Sequence, residues 1–145
     1  MAAIPPQVRC YLPLTADLVH SLHETGSLPG DLVAFVVTES VRRSDPNGDE
    51  ESWEFAALQD AAAHCQQEGQ PVLVAAADVA RDSIDDSGPT GSRVLVRGSV
   101  TLPRIASLHV GDDLVGEVSS VSDDEEIIEL SWYDATELAE VRRLL

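Results

Sequence analysis

The sequence predicts a single α+β domain in which helices cover a mixed β-sheet of about five or six strands. Three observations lead to this class. Elements in the first half alternate as β-α-β-α-β, strand-like segments cluster in the second half, and the one long helical pattern lies between two runs of apolar residues. A chain of 145 residues has the length of one domain, so residues 1–145 are assigned to it. A three-layer α/β sandwich is the alternative.

The longest helical pattern covers residues 49–68 and contains no Gly or Pro. At 3.6 residues per turn, its larger apolar side chains fall on one side. Three acids occupy its first turn, where the helix dipole favours negative charge. The apolar side is predicted to be the core stripe, formed by Phe55, Leu58, Ala61, Ala62 and Cys65.

The first half also contains strands and a short helix. Residues 8–12 alternate between apolar and polar, which predicts a strand with one buried face. Thr15 then caps a helix that ends at Gly26. Residues 32–37 and 72–77 are wholly apolar, which indicates central strands covered on both faces.

The second half is predicted to contain three strands and a terminal helix. Residues 94–100, 103–110 and 128–132 each alternate apolar and polar side chains. Asp134 precedes Glu137 by three positions, the spacing of a capping box, so the terminal helix should begin there. Leu138, Val141 and Leu145 are its predicted buried stripe.

Three segments are expected to lie outside the regular elements. Residues 1–7 contain two prolines and should form a frayed arm. Residues 79–92 are polar with a Gly-Pro-Thr-Gly tip, which predicts a long mobile loop. Residues 111–126 mix weak helical spacing with Gly, Ser and a run of acids, and are interpreted as a variable segment.

The charge excludes two classes of partner. Twenty-six Asp and Glu residues against nine basic residues, all of them Arg, give a net charge of −17. A field of this sign repels phosphate backbones and anionic lipid head groups, so neither nucleic acid nor a membrane is an expected partner. The N-terminal residues lack the pattern of an export signal, which predicts a cytoplasmic protein with reduced thiols. Cys10 and Cys65 should therefore be buried thiols.

Five segments carry a resemblance to a known family: VRCYLPLT, EFAALQDAA, AAADV, RIASLHV and SWYDATEL. They resemble a small acidic family of uncharacterised proteins, a domain of unknown function, from high-GC Gram-positive (actinobacterial) bacteria. The WYD-x-TEL tail is the most specific of these segments. The resemblance implies a cytoplasmic single domain, and it implies no substrate, cofactor or catalytic residue.

Two groups of residues have some of the spacing of a metal site. Residues 45–51 resemble a calcium loop, but Glu50 stands where an EF-hand needs Gly, and Ala56 where it needs a bidentate Glu. His20 and His23 share a helix face, but the sequence indicates no third ligand. We therefore expect neither a metal nor a cofactor.

The sequence leaves two functional classes open. It contains no nucleophile elbow, Walker loop or dinucleotide fingerprint, which favours a protein-interaction or regulatory module. The alternative is a small enzyme that uses polar groups at strand ends. The catalytic candidates for that alternative are Asp78, His109, Tyr133 and Asp134.

Trp53 is the candidate interface residue. At about 100° per residue it falls opposite the predicted core stripe. Ala57, Asp60 and His64 share that side of the helix. Either the 79–92 loop or the terminal helix covers Trp53, or the four residues form an interface with another protein or with a second copy in a homodimer.

Overall fold

The computed structural model describes residues 6–85, 91–112 and 127–145, so the expectations for residues 1–5, 86–90 and 113–126 lie outside the described residues. The main sheet contains seven strands: β1 (Gln7–Pro13), β3 (Leu32–Phe35), β4 (Leu73–Ala80), β5 (Ile84–Asp85), β6 (Arg93–Val96), β8 (Ile105–Gly111) and β9 (Leu130–Asp134). Their spatial order is β5-β6-β3-β1-β4-β8-β9, and all the described pairings are antiparallel. A separate two-stranded sheet pairs β2 (Ser27–Leu28) with β7 (Val100–Thr101).

Helices lie on both faces of the main sheet. They are α1 (Ala16–Thr25), α2 (Glu39–Ser44), α3 (Glu50–Gln67) and α4 (Leu138–Arg143). The side chains of α1 and α4 pack with Leu12, Leu73 and Leu108 on one face. The opposite face packs against α3. The described part of the chain has no helix that is both long and apolar enough to cross a membrane.

The predicted α+β class is confirmed, but three details of it are wrong. The main sheet has seven strands instead of five or six, and its pairings are antiparallel instead of mixed. The element order begins β-α-β-β-α-α-β instead of β-α-β-α-β. The two-residue β2 and the six-residue α2 were missed because neither segment shows a detectable periodic pattern. Helices cover both faces, as in the sandwich alternative, but the antiparallel pairing separates the fold from that class.

The ends of the helices follow the sequence closely. The Thr15 side chain accepts a hydrogen bond from the Leu18 amide, and Gly26 ends α1 in the left-handed conformation with φ 74°. Asp49 and Ser52 form a reciprocal capping box at the start of α3. Asp134 and Glu137 form the predicted capping box before α4, although a 3-10 turn over residues 135–137 comes first. These side chains satisfy amides that would otherwise lack partners.

The predicted core stripe of α3 is rotated from the observed one. Phe55 is 47% exposed, whereas Ala57 is fully buried together with Ala61 and Ala62. Small side chains allow the helix to lie close to the sheet, where Tyr11 and Phe35 supply the bulk. Ala61, Ala62 and Cys65 are buried as predicted, and the prediction was wrong for Phe55, because it weighted apolar size whereas the space beneath the helix admits alanine. Leu145, placed in the α4 stripe, is likewise 41% exposed.

The segment expected to be a loop over residues 79–92 is partly regular. Strand β4 continues to Ala80, a 3-10 turn covers Arg81–Ser83, and β5 pairs with β6. The expectation for Cys10 and Cys65 is confirmed, since both are buried thiols. Burial raises the pKa of the Cys10 thiol to about 12, which keeps it protonated and unreactive.

Candidate functional site

Asp78, the first catalytic candidate, is committed to an ion pair. The Arg9 guanidinium donates from Nε to Asp78 Oδ1 at 2.7 Å and from Nη2 to Asp78 Oδ2 at 3.1 Å. The two residues face each other across β1 and β4 on the side of the sheet that α3 covers. This hydrogen bond is the main cause of the raised pKa of Arg9. A carboxylate held by both oxygens in this way is poorly placed to act as a base.

His109 lies apart from Asp78. It is opposite Val74 on β4, four residues from Asp78, which corresponds to roughly 13 Å along the strand. Its Nε2 atom is 3.0 Å from the Ser107 hydroxyl. Burial lowers the pKa of His109, and the Arg9 charge lowers it further. A hydrogen-bonded Ser–His pair could serve as nucleophile and base in catalysis. Ser107 is only 6% exposed, however, so a substrate cannot easily reach its hydroxyl. The hydrogen bond instead satisfies two partly buried polar groups.

The other two predicted catalytic residues are Tyr133 and Asp134. Tyr133 packs against the core on the α1 and α4 side, opposite in face to His109. The Asp134 carboxylate accepts hydrogen bonds at 2.9 Å from both the Thr136 amide and the Thr136 hydroxyl. Those bonds lower the pKa of Asp134. The structure therefore places the four candidates in four different environments.

The predicted interface residues form a flank of α3 that contacts the rest of the chain. Trp53 Nε1 donates to the Asp45 carbonyl oxygen at 2.9 Å, so its indole is fixed to the turn that precedes α3. Asp60 accepts a hydrogen bond from the Ser92 hydroxyl at 2.6 Å, and the His64 ring centroid is 5.7 Å from that of Phe35. Placing Ala57 on the outer surface was wrong, because it is buried. An interface at Trp53 stays a prediction.

A cleft lies where β1, β4, α2 and α3 converge. Its inner part has a volume of about 420 Å³ and contains Arg9, Asp78 and Glu54. An adjoining part of about 330 Å³ is lined by Thr38 and Ile84. Both parts share four residues: Val8, Val37, Arg42 and Arg81. We call this surface the arginine cleft, because three of the nine arginines line it.

A second exposed feature lies at the edge of the sheet. Strand β9 pairs with β8 on one side, and no strand in the described ranges pairs with its other side. Trp132, in the middle of β9, is 62% exposed, the most exposed large apolar side chain among the described residues. In an antiparallel pair, alternate residues direct their N–H and C=O groups away from the partner strand. The outer side of β9 therefore offers backbone groups for pairing.

The edge has a distinct electrostatic character. Residues 105–141 contain eleven of the twenty-six acids and none of the nine arginines. Most of the net charge of −17 therefore comes from this quarter of the sequence. Within the described residues, Glu129, Asp134 and Glu137 lie in or beside β9. We call β9 with these acids the acidic edge.

Comparisons with known proteins identify a family but no activity. The model of the family of unknown function DUF6912 matches residues 8–141, nearly the whole chain. The chain belongs to this family. Comparison with curated proteins gives no match, and comparison with solved structures gives none either. The family match confirms the resemblance to a domain of unknown function, and the function of this DUF6912 domain has to be inferred from its own geometry.

Sequence reasoning named Asp78 but missed the three arginines that line the cleft of this DUF6912 domain. Arg9, Arg42 and Arg81 are separated by more than thirty positions each, and no local motif links them. The signal that could have found them is the scarcity of basic residues, since three of nine converge on one cleft. Among the described residues, no three His, Cys, Asp or Glu side chains are arranged to hold a metal.

Proposed function

We propose that the protein is an interaction module whose acidic edge pairs with an extended, basic segment of another protein. The observation that carries this proposal is β9, an edge strand of five residues with Trp132 62% exposed at its centre. An added strand would gain main-chain hydrogen bonds, each contributing about 0.5–1.5 kcal/mol net. It would also cover the indole, and tryptophan is enriched in the centres of protein interfaces.

Charge decides which segment fits. Glu129, Asp134 and Glu137 lie in or beside β9, so an approaching strand of Lys or Arg side chains gains attraction and speed of association. A second copy would bring the same acids to the same place, and like charges facing each other across an interface cost several kcal/mol. A basic partner is therefore favoured over a homodimer, in which β9 of one copy would pair with β9 of the other.

The scattered-residue enzyme is the weaker candidate. Asp78 is held by Arg9, Asp134 caps α4, and Tyr133 faces the opposite side of the sheet from His109. An interaction module does not need catalytic side chains that converge on one point. It needs an accessible strand and a surface charge that complements the partner. A cytoplasmic location in a high-GC Gram-positive bacterium belongs to the same proposal, supported by the resemblance and by the use of Arg alone as the basic residue.

A peptide titration tests the proposal. The protein contains two tryptophans, so Trp53→Phe leaves Trp132 as the only indole. This variant is titrated with a synthetic ten-residue peptide that alternates Arg and Val, and with a matched peptide that alternates Glu and Val. We expect saturable binding of the basic peptide with a blue shift of Trp132 emission, weakening steeply with added salt. The acidic peptide should produce no shift.

Matched variants separate edge pairing from general attraction. Trp132→Ala, followed by calorimetry because the reporting indole is gone, should weaken binding of the basic peptide at least about tenfold, since truncating a residue at the centre of an interface costs about 2 kcal/mol or more. Leu145→Ala removes another exposed apolar side chain, at the end of the chain beyond α4, and should leave the affinity unchanged. Equal affinity in both variants, or equal binding of the acidic peptide, contradicts the proposal. A parent protein that sediments as a dimer through β9 would also contradict it.

A further inference from the structure

The arginine cleft has the features of a small-molecule site independent of the acidic edge. Its two parts, of about 420 and 330 Å³, are each in the size range of ligand pockets. Val8 and Val37 are common to both parts, and Arg42 and Arg81 flank both. A ligand placed between the two parts would therefore have apolar side chains beside it and two guanidinium groups within reach.

Neither arginine makes a side-chain hydrogen bond to a described residue, although Arg42 forms ion pairs with Glu39 and Glu50, which also line the cleft. The Arg42 guanidinium lies 3.5 Å from Glu39 and 3.7 Å from Glu50, beyond the hydrogen-bond distance of about 3.2 Å. The Arg81 side chain makes no hydrogen bond or ion pair within residues 6–85, 91–112 and 127–145. Other arginines of the chain donate to carboxylates at 2.6–2.8 Å, as in the pairs Arg9–Asp78, Arg97–Asp85 and Arg143–Glu140.

Trp53 holds Arg42 in place. The Arg42 Cζ atom lies 5.5 Å from the centroid of the indole ring, a cation–π distance. The indole is itself fixed by its hydrogen bond to the Asp45 carbonyl. A guanidinium that is held by stacking, with its N–H groups still available, loses little entropy when it binds a carboxylate.

The rest of the lining selects the charge of the ligand. Glu54 lines the inner part, and its described hydrogen bond is a long one of 3.4 Å from the Tyr11 hydroxyl. Its carboxylate can therefore accept hydrogen bonds from an ammonium group. The inner part is lined by three arginines and three carboxylates, so a zwitterion, which carries one charge of each sign, fits it better than a multiply charged anion. Ile84 and Val36 in the outer part add apolar surface.

We infer that the arginine cleft binds a free α-amino acid with an apolar side chain. Arg42 and Arg81 receive the carboxylate, Glu54 receives the ammonium group, and Ile84 and Val36 contact the side chain. Each group of the ligand thus meets a cleft residue of complementary chemistry. The site is separate from β9, so peptide pairing at the acidic edge and amino-acid binding can succeed or fail independently.

Fluorescence of the stacked tryptophan tests this inference. Trp132→Phe leaves Trp53 as the only indole, beside Arg42. This variant is titrated with L-leucine, acetate, methylammonium and inorganic phosphate, and each affinity is checked by calorimetry. We expect saturable binding of L-leucine at least about tenfold tighter than that of acetate, because only the zwitterion uses both ends of the site. No saturable L-leucine signal, or acetate or phosphate binding as tightly, overturns the inference.

Three variants assign the roles. Arg81→Ala should weaken L-leucine binding at least about tenfold, the loss expected when a charged hydrogen-bond partner is removed. Arg104→Ala removes an exposed arginine that lines neither part of the cleft and should change nothing. Glu54→Gln should erase the preference for L-leucine over acetate. Equal affinities in the two arginine variants, with both proteins folded by their melting curves, contradict the assignment.

Discussion

The two tryptophans lie in electrostatically opposite regions of one small domain. Trp53 is half-buried, stacked beneath Arg42 and hydrogen-bonded to Asp45, at the border of a cleft that three arginines line. Trp132 is 62% exposed on an edge strand, within a quarter of the sequence that contains no arginine. The Trp53 indole holds the Arg42 guanidinium in place, whereas the Trp132 indole is accessible to a partner protein.

This difference shows that the net charge describes neither region well. A value of −17 predicts repulsion of anions everywhere, but residues 105–141 alone supply eleven of the twenty-six acids and none of the arginines. Around the cleft the arginines balance the acids, so a zwitterion or a carboxylate is not repelled there. The exclusion of nucleic acid, which bears many closely spaced phosphates, follows from the net charge and stays a prediction.

The largest expected effect tests how the acidic edge is anchored. Leu108 is buried on the α1 and α4 face and lies opposite Tyr133 of β9. Leu108→Ala should lower the free energy of unfolding by about 2–5 kcal/mol, because it removes methyl groups and leaves a cavity. Urea denaturation measures this loss. A change below about 1 kcal/mol would show that the packing beneath the edge is looser than described.

An intermediate effect compares the two indoles directly. Trp53→Ala should cost about 2 kcal/mol, because it removes a hydrogen bond and a cation–π contact. Trp132→Ala should stay within about 0.5 kcal/mol of the parent, as for other exposed surface changes. Urea denaturation of the two variants side by side supplies the measurement. Equal losses would remove the distinction between a fixed indole and an available one.

The smallest expected effect concerns pH. Burial lowers the pKa of His109 below its ordinary value of 6.5, so the folded state binds fewer protons than the unfolded state between the two pKa values. The contribution of His109 to stability is therefore complete above pH 6.5 and falls as the pH is lowered through that window. The difference in unfolding free energy between the parent and His109→Gln should narrow as the pH falls.

The pH prediction has a matched control in the exposed His23. Unfolding free energies of the parent, His109→Gln and His23→Gln are compared from pH 7.5 to 5.0 at constant ionic strength. A pH-dependent difference should appear for His109→Gln. A parallel shift of the whole curve in both variants would show that protonation of His109 does not oppose folding.

The sequence predicted those parts of the fold that depend on local chemistry. The caps at Thr15, Asp49 and Asp134 use short side chains to satisfy nearby amides, and their spacing is visible in one dimension. The apolar runs in β3 and β4 likewise indicated interior strands. The rotation of α3 was not visible, because the choice between Phe55 and Ala57 depends on the space above Tyr11 and Phe35.

The candidate sites were less predictable than the fold. Arg42 lies in the six-residue α2, too short for a periodic pattern, and Arg81 lies in a turn that was expected to be part of a loop. Their convergence is a property of strand order, which the sequence does not specify locally. Trp132 was predicted to lie on a strand, but its exposure follows from β9 being the last strand of the sheet.

Amide hydrogen exchange of β9 tests the central claim most directly. The parent protein is exchanged with and without a saturating amount of the alternating Arg–Val peptide, and single amides are followed by NMR. Strand pairing predicts slower exchange for the outward-facing amides within residues 130–133, the groups that β8 leaves unbonded, whereas the Asp134 amide already donates to Glu137 Oε1. If the peptide binds and these amides exchange at their original rates, β9 does not accept a strand, and the proposed mode of interaction is wrong.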